Sequence, residues 1–324
     1  MSSSNAARSV ATSAPTGGPR KPFPIFGYVC IAPTFVFAAI FLFYPAISAI
    51  AHAFTDWDGA KQDNFIGLAN FQQMLSDEQM GQSFLNLLII TAFSLVVELT
   101  VPLAVAKLIL GLRSSRLQNV LRVLFLLPLI VPQVVIFLLW SFIYDPDPTV
   151  GMLNALLTNL HILSQPQAWL GDRNLALYAI MATGAGIVAS FPFVDGFGLL
   201  IYTAGLQSIP HEIVESAQLD GAGRRAIFWR IELPLIAGQL RLMSILTIIY
   251  SVQSYTAVLI LTNGAPGDAT YVPGFAMYHN AFYYGKMGYA CAIGTVLFLI
   301  ILALTMINLR FVRPATEFDL GTAA

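Results

Sequence analysis

Residues 288–309 read GYACAIGTVLFLIILALTMINL, a run of 22 residues in which no side chain carries a charge. About 20 consecutive apolar residues, wound as an α-helix, are needed to cross the hydrocarbon core of a bilayer. Apolar stretches of only about 10–14 residues are more typical of buried helices in soluble proteins. The run therefore predicts a membrane-spanning helix.

The composition of the whole chain agrees with a membrane protein. Of its 324 residues, 57% are hydrophobic and 10% are charged, and the mean hydropathy is +0.73. Soluble domains carry about 25% charged residues, so 16 Lys and Arg with 17 Asp and Glu are too few to cover a soluble globule of this size. The net charge of -1 offers no basic surface to phosphate backbones, and we expect no nucleic-acid partner.

Five further segments are long and apolar enough to cross a membrane. With the run above, the set comprises residues 25–52, 83–110, 119–143, 176–205, 233–262 and 288–309. We therefore expect an all-α membrane protein with six transmembrane helices. Several of these segments contain prolines, which neighbouring helices can accommodate in a bundle, so we expect kinked rather than interrupted spans.

The basic residues orient these spans. If the N-terminus is cytoplasmic, 13 of the 16 Lys and Arg residues lie on the inner side, and only Lys61, Arg173 and Lys286 lie outside. Because basic residues are enriched in cytoplasmic loops, we expect both termini in the cytoplasm. Residues 1–24 are expected to form a disordered tail, because residues 2–19 are rich in Ser, Ala, Gly, Pro and Thr. A cleaved signal peptide is the alternative, but the apolar run that follows is too long for one. Residues 25–313 would form the transmembrane domain, and residues 314–324 a C-terminal tail.

Common enzymatic signatures are missing from the sequence. It contains no phosphate-binding loop of the Gly-x-x-x-x-Gly-Lys-Ser/Thr type, no Gly-x-Ser-x-Gly nucleophile and no Cys/His spacing that suits zinc. His211-Glu212 begins like a zinc-protease helix, but position 215 is Glu rather than His. We therefore expect no catalytic or metal site, although a membrane-embedded enzyme stays as the alternative from another functional class.

The most informative stretch is the loop between the fourth and fifth predicted spans, which covers residues 206–232. It reads, through the first two residues of span five, LQSIPHEIVESAQLDGAGRRAIFWRIELP over residues 206–234. Pro210 suits the first turn of a helix, Ile213, Val214 and Ala217 recur at helical spacing, and Gly221 permits the turn that ends the helix. The pattern fits both an amphipathic helix lying on the membrane and a helix that docks onto another protein.

The spacing of this loop resembles the EAA signature of permease subunits from binding-protein-dependent ABC importers. That signature is Glu-Ala-Ala, three residues, Gly, nine residues and Ile-x-Leu-Pro. The residues that match it in register are Glu215, Ala217, Gly221, Ile231, Leu233 and Pro234, while Ser216 replaces the usual Ala. Asp220 and Ala222 further match the Asp-Gly-Ala form of the motif.

The resemblance implies which proteins the chain works with. In that family the helix carrying the signature is a cytoplasmic coupling helix that docks into a cleft of an ATPase subunit. The coupling residues would be Glu215, Ser216, Ala217, Asp220, Gly221 and Ala222. The partners would be a second homologous permease, two ATP-binding cassette subunits and an extracytoplasmic solute-binding protein, in a bacterial or archaeal inner membrane. The chain itself would need no cofactor, because the partner ATPases bind the ATP.

Further stretches resemble the carbohydrate-uptake, maltose-type branch, and within it the first of two non-identical permeases. They are Tyr44-Pro45, Phe54-Thr55-Asp56-Trp57, residues 65–71, Pro128 with Trp140, Gly151 with Asn154, and residues 261–267 with Ala265 in place of a Gly.

By similarity, the sugar path would include Ser190, Phe193 and Gln253, and polar or aromatic groups at Ser254 and Tyr255 join them as candidates. Contacts between helices are the alternative role for these side chains. An importer of the same build for glycerol 3-phosphate, phosphodiesters or another polar solute is the alternative function.

Glu98 and Asp195 are the two acids well inside predicted spans. Charged groups in a membrane usually face a cavity or a partner. Asp195 lies three residues after Pro192 and could bind backbone groups freed by a kink, whereas Lys107 is poorly placed to pair with Glu98. We favour structural roles for both acids over roles in the path.

Overall fold

The structure, a computed structural model, describes residues 25–184 and 194–311. Within these ranges the regular secondary structure is helical, apart from one isolated bridge between Thr55 and Phe65. The all-α prediction is confirmed for this part of the chain. The predicted tails 1–24 and 314–324, and the path candidates Ser190 and Phe193, lie outside the described residues.

The chain divides into two compact units, Met1–Ser48 and Ala49–Ala324. Helix α1 (Ile25–Ala38) of the first unit continues through a π-helical turn at Ala39–Phe43 into α2 (Tyr44–His52), whose last four residues belong to the second unit. Tyr28–His52 forms an apolar helix of 25 residues, long enough to cross a membrane. This helix matches the predicted segment 25–52.

The second unit contains fourteen further helices within the described residues. They are α3 (Ala69–Ser76), α4 (Glu78–Leu110), α5 (Ser115–Leu126), α6 (Gln133–Ile143), α7 (Met152–Asn159), α8 (Ala176–Ala182), α9 (Gly196–Gln207), α10 (His211–Leu219), α11 (Arg224–Ile227), α12 (Leu233–Leu235), α13 (Ala237–Gln253), α14 (Thr256–Leu261), α15 (Pro273–Phe282) and α16 (Met287–Phe311).

Two helices of this unit, α4 and α16, are long and apolar enough to span a membrane by themselves, with 33 and 25 residues. Helix α4 begins five residues before the predicted segment, because the Asp77 carboxylate accepts a hydrogen bond from the Gln79 N–H at 2.9 Å and caps the helix there. Pro102 lies inside α4 without ending it. The expectation that prolines are tolerated in long spans therefore holds for this helix.

The predicted span 119–143 is interrupted rather than kinked, and the expectation is wrong there. Helix α5 and a 3₁₀ turn at Leu127–Ile130 are followed by α6 at an angle of 94°. Val131 between them is extended, with φ -76° and ψ 127°, as a residue before proline prefers. Pro132 also lacks the N–H that would continue the helical hydrogen bonds.

The predicted span 233–262 differs in the same way. Arg224–Leu235 is helical throughout, through a π-helical turn at Phe228–Glu232, and α13 follows at an angle of 67°. Helix α13 then ends at Gln253, and α14 is a separate short helix. The predicted span therefore contains three helices, α12, α13 and α14.

The predicted span 176–205 corresponds to α8 and α9, on either side of the undescribed residues 185–193. In the described part of the chain, three helices are long enough to cross a membrane, or up to five spans if each bent pair counts as one. The apolar helices agree with a membrane protein, and the count of six stays a prediction.

Two clusters of buried side chains hold the second unit together. The larger one joins the first half of α4 to α6, α8 and α13–α16. The smaller one, which we call the second core, comprises Leu103, Ala106, Ile109, Val194, Leu199, Tyr202, Leu206, Ile209, Ile236 and Met243. It lies where the second half of α4 meets α9 and the start of α13, and the loop that carries α10 adjoins it.

Polar contacts organise the segment between α2 and α3. The buried Asn70 amide donates hydrogen bonds to the carbonyls of Ala53 and Thr55, both at 2.9 Å. Hydrogen bonds from the Gln62 amide and from the backbone and side chain of Asn64 hold the pKa of the Asp56 carboxyl below its usual range. The segment is therefore an ordered turn rather than a loose connection.

Candidate functional site

The predicted loop helix is present as α10, and its start is set by Pro210. The proline occupies the N-cap position, with φ -57° and ψ 132°, and His211 is the first helical residue. Proline fits there because the first N–H groups of a helix have no partner within it. Glu212 lies in the first turn, where a negative charge complements the helix dipole.

The end of α10 is set by Gly221, as the sequence predicts. The Ala222 N–H donates to the Ala217 carbonyl at 2.9 Å, and the Gly221 N–H donates to the Gln218 carbonyl at 3.0 Å. These two bonds form a Schellman motif, which needs a residue with positive φ after the helix. Gly221 supplies it with φ +81°, and the chain turns sharply towards α11.

The coupling candidates occupy the outward side of this helix and its turn. Glu215, Ser216, Asp220 and Gly221 are exposed, while Ala217 and Ala222 are half-buried. The predicted apolar stripe is divided, because Val214 packs against the second core whereas Ile213 is 42% exposed. The loop therefore presents small and acidic groups outwards while one side of α10 rests on the molecule.

One exposed residue of this loop was not predicted. Leu219 is 89% exposed in the last turn of α10, which is a costly place for a leucine in water. Its exposed apolar side chain adjoins the acidic Asp220 in the sequence and could contact a partner protein. The only signal in the sequence is an apolar residue between Gln218 and Asp220, outside the stripe at helical spacing.

Three of the five path candidates lie together at the break between α13 and α14. Gln253 is the last residue of α13 and is exposed, and Ser254 leaves the helix with φ -70° and ψ 123°. Tyr255 stacks on Tyr278, with ring centroids 5.4 Å apart. The break leaves helix-terminal carbonyls without helical partners and places two polar side chains and an aromatic ring beside them.

The two acids inside the predicted spans differ in their surroundings. Asp195 is buried and caps α9: its carboxylate accepts hydrogen bonds from the N–H groups of Phe197 at 3.2 Å and Gly198 at 2.6 Å. Its contact with backbone N–H groups supports the structural role. Glu98 is 3% exposed, and its Oε2 atom has no hydrogen-bond partner among the described residues.

Lys107 pairs with a residue that the sequence did not single out. Its ammonium group contacts both carboxylate oxygens of Glu232, which lies 125 positions along the chain. No signal in one sequence joins residues so far apart. Within the described residues, no group of three or more His, Cys, Asp or Glu side chains could hold a metal ion.

The chain is similar to known membrane transport proteins over most of its length. The chain is 30% identical over 294 residues to the probable ABC transporter permease protein YurN of Bacillus subtilis, covering 90% of this chain and 98% of that protein. It is 30% identical to the sn-glycerol-3-phosphate transport system permease protein UgpA of Agrobacterium fabrum, covering 92% and 98%. The diacetylchitobiose uptake system permease protein NgcF of Streptomyces coelicolor is 32% identical, with 80% and 74% covered.

A solved structure shows the same fold. A chain of a bacterial ABC transporter involved in the import of the acidic polysaccharide alginate superposes with a TM-score of 0.75 and 21% identity, covering 89% of this chain and 96% of that chain. The model of the family described as binding-protein-dependent transport system inner membrane component matches residues 103–317. That range includes α10, Gly221 and the break after α13, and this protein belongs to that family of membrane transport components.

Proposed function

We propose that the chain is a permease subunit of an ATP-driven ABC importer and forms half of the path for a sugar. The sugar, a mono- or oligosaccharide, is delivered by an extracytoplasmic binding protein. A second homologous permease supplies the other half of the path, and two ATP-binding cassette subunits supply the energy. Family membership argues against the membrane-embedded enzyme. The single observation that carries the proposal is the exposed helix α10, ended by Gly221 in the register of the coupling signature.

The coupling function belongs to the outward side of α10 and its turn. Glu215 and Asp220 offer charge, Ser216 and Gly221 leave room for close approach, and Ala217 and Ala222 complete the small-residue surface. An apolar residue on such a helix suits a groove in a partner protein, and the exposed Leu219 is placed for that contact. The surface supports docking on an ATPase better than burial in lipid, because it carries two acids.

For the topology we infer six spans with both termini in the cytoplasm. Residues 25–313 form the permease domain, residues 1–24 and 314–324 form cytoplasmic tails, and the coupling loop 206–232 joins the fourth and fifth spans. The asymmetry of Lys and Arg supports this orientation. The apolar helices Tyr28–His52, α4 and α16 supply three of the spans.

For the solute we favour a neutral sugar that passes the break between α13 and α14. Broken helices near the middle of a span are a recurring feature of transporter binding sites. Gln253 and Ser254 offer hydrogen bonds and Tyr255 offers an aromatic face. Ser190 and Phe193 complete the proposed path by resemblance, and the diacetylchitobiose permease NgcF is a relative with a named sugar substrate.

Glycerol 3-phosphate is the second candidate solute, because the relative UgpA is named for its transport. An anionic solute calls for a basic side chain facing the path. None of the three residues at the α13–α14 break is basic. The two solutes are separated by identifying, by mass spectrometry, the molecule bound to the cognate binding protein: a sugar supports the first candidate, and a phosphate ester overturns it.

Affinity purification of the tagged chain from its native membrane tests the coupling assignment. We expect the second permease and the ATPase to co-purify with the wild-type chain. Glu215→Lys and Gly221→Asp should lose the ATPase but keep the second permease. Glu212→Lys, a charge reversal one turn earlier on the same helix, serves as the matched control and should keep both. Retention of the ATPase by both Glu215→Lys and Gly221→Asp would contradict the docking assignment.

The path assignment has its own test in transport kinetics. Replacing Gln253 and Tyr255 together by alanine should lower uptake of the identified solute while the ATPase still co-purifies. The reason is that both residues lie more than 30 positions after α10, outside the coupling loop. Unchanged uptake kinetics in this double variant would refute the proposed pocket.

A further inference from the structure

Helix α4 has no direct chain connection to the coupling loop. The loop continues into α9 on one side and into α13 on the other, so movement of α10 reaches those helices through the backbone. Helix α4 lies more than 80 positions earlier in the chain and can follow only through non-covalent contacts. The contacts between α4 and the loop therefore decide whether α4 takes part in the motion.

Two kinds of contact join them. The second core places Leu103, Ala106 and Ile109 of α4 in one apolar cluster, against which Val214 of α10 and Phe228 of the π-helical turn pack. The ion pair between Lys107 and Glu232 lies at the edge of this cluster, with the Lys107 ammonium bound to both carboxylate oxygens. Among the described residues, the one other ion pair is between His52 and Asp63.

The burial of this pair matters for its strength. The Glu232 side chain is 9% exposed and that of Lys107 is 46% exposed. A carboxylate removed from water is stable as an anion only when a cation or hydrogen-bond donors accompany it. Arg224, Arg225 and Arg230 on the same loop are exposed, and none of them forms an ion pair with Glu232 within the described residues. Lys107 is thus the cation that accompanies Glu232.

The geometry differs from that of apolar packing alone. Apolar side chains can slide past one another with little change in buried area, whereas a carboxylate held through both oxygens fixes the position of its partner. Glu232 is the last residue of the coupling loop and precedes the bend that leads into α13, and Lys107 lies in the last turn of α4. The pair therefore fixes the end of α4 to the point where loop motion enters the membrane helices.

We propose that Lys107 and Glu232 are positioning residues that make α4 and the coupling loop move as one body during the ATP cycle. This inference rests on the proposed function, because it takes α10 to be the helix moved by the ATPases. Coupling between distant sites needs an element with two arrangements that both sites influence. The pair extends that element from α10 and α13 to α4.

The test uses the assembled complex in nanodiscs, with ATP and vanadate as the probe, so the transported solute need not be known. Cys30 and Cys291 are replaced by serine, and spin labels are attached at Leu108→Cys and Trp229→Cys, two exposed positions beside Lys107 and Glu232. The distance between the labels is measured by dipolar electron spin resonance, without nucleotide and after vanadate trapping. With the native pair, we expect the same distance in both states.

The variant Glu232→Gln removes the charge and keeps the shape. It should still hydrolyse ATP, but trapping should change the label distance by about 1–2 Å, the size of helix shifts at interfaces. Arg230→Gln is the matched control, since it neutralises an exposed charge on the same turn, and it should behave as the native pair. A purely structural role for the pair would alter assembly or ATP hydrolysis without making the distance depend on nucleotide.

Two results would overturn the proposal: a native label distance that changes on trapping, or a Glu232→Gln distance that stays constant. If Glu232→Gln fails to assemble, the exchanged pair Lys107→Glu with Glu232→Lys decides the matter. A constant distance in the exchanged pair supports the proposal, and a changed distance or failed assembly contradicts it. Failure of the wild-type chain to co-purify with an ATPase would instead refute the proposed function.

Discussion

The shape of the turn that ends α10 depends most directly on Gly221. A Cβ atom at this position would meet no heavy atom within 4 Å, so space does not exclude a side chain. The φ of +81° disfavours a side chain, because this conformation costs an L-residue about 1–2 kcal/mol. The cost of a substitution here is therefore conformational rather than steric.

We accordingly expect Gly221→Ala to weaken ATPase co-purification about tenfold, as 1.4 kcal/mol would. The matched control is Gly223→Ala, because Gly223 also has open space but a φ of -72°. The measurement is the amount of ATPase recovered per permease at equal membrane level. Equal recovery for the two variants would show that the left-handed turn is not needed for docking.

The structural role of Asp195 can be tested separately from any role in the sugar path. Loss of an N-capping side chain costs about 0.5–2 kcal/mol, so Asp195→Ala should lower the melting temperature of the purified protein. Asp195→Asn keeps an oxygen that can accept a hydrogen bond from the Phe197 or Gly198 N–H, and it should recover most of the loss. Thermal unfolding in detergent measures both variants. Full stability of Asp195→Ala would contradict the capping role.

At the scale of elements, Asn86 connects α4 to the segment between α14 and α15. Its buried amide donates to the carbonyls of Asp268 at 3.0 Å and Tyr271 at 2.9 Å, and Gln82 donates to its oxygen at 2.9 Å. A buried carbonyl that loses its donor costs about 1–3 kcal/mol. The Asn86 side chain therefore binds two backbone carbonyls of segment 262–272 to α4, beside the hydrogen bond that Gln79 donates to Asp268.

Replacing Asn86 by leucine should free this segment. We expect faster amide hydrogen exchange in residues 262–272 and little change in α16. Gln82→Leu is the control: it removes a neighbour of Asn86 but leaves both carbonyl bonds in place, so exchange in the segment should stay slow. Unchanged exchange in Asn86→Leu would mean that the contacts of Gln79 with Asp268 suffice to hold the segment.

The elements also show how far one sequence predicts the fold. Long apolar runs predicted α4 and α16 to within a few residues, because the need to span a bilayer leaves a strong pattern. The effect of each proline was harder to predict, since Pro102 is tolerated inside α4 while Val131-Pro132 ends a helix and precedes a 94° bend. Whether a proline kinks or breaks a helix depends on how neighbours satisfy the freed carbonyls, which local sequence does not encode.

The features of the candidate site also differ in whether the sequence alone could predict them. The start and end of α10 follow from local chemistry at Pro210 and Gly221, and both could be predicted. The contact between Lys107 and Glu232 depends on packing between elements 125 positions apart, so only the three-dimensional structure could reveal it. Exposure is likewise a tertiary property, which is why the outward position of Leu219 was missed.

At the scale of the whole molecule, the few charged residues connect topology with coupling. If the inner side holds 13 of the 16 basic residues, the coupling loop and the Lys107–Glu232 pair lie on the side where ATP is available. Lys61 and the ordered turn around Asp56 then lie on the side from which a binding protein delivers its solute. The orientation is thus a condition for the proposed function and can be tested without any substrate.

We expect single cysteines to report this orientation in intact cells. With Cys30 and Cys291 replaced by serine, Lys61→Cys should react with a membrane-impermeant maleimide added outside, because its position is exposed and lies outside the cell in the proposed orientation. Arg225→Cys, equally exposed on the coupling loop, should react only after the membrane is permeabilised. Labelling is read as a mass shift on a gel, and the cysteine-free chain gives the background. The reverse pattern would place the coupling loop outside the cell, where no ATPase could dock, and the proposed mechanism would fail with it.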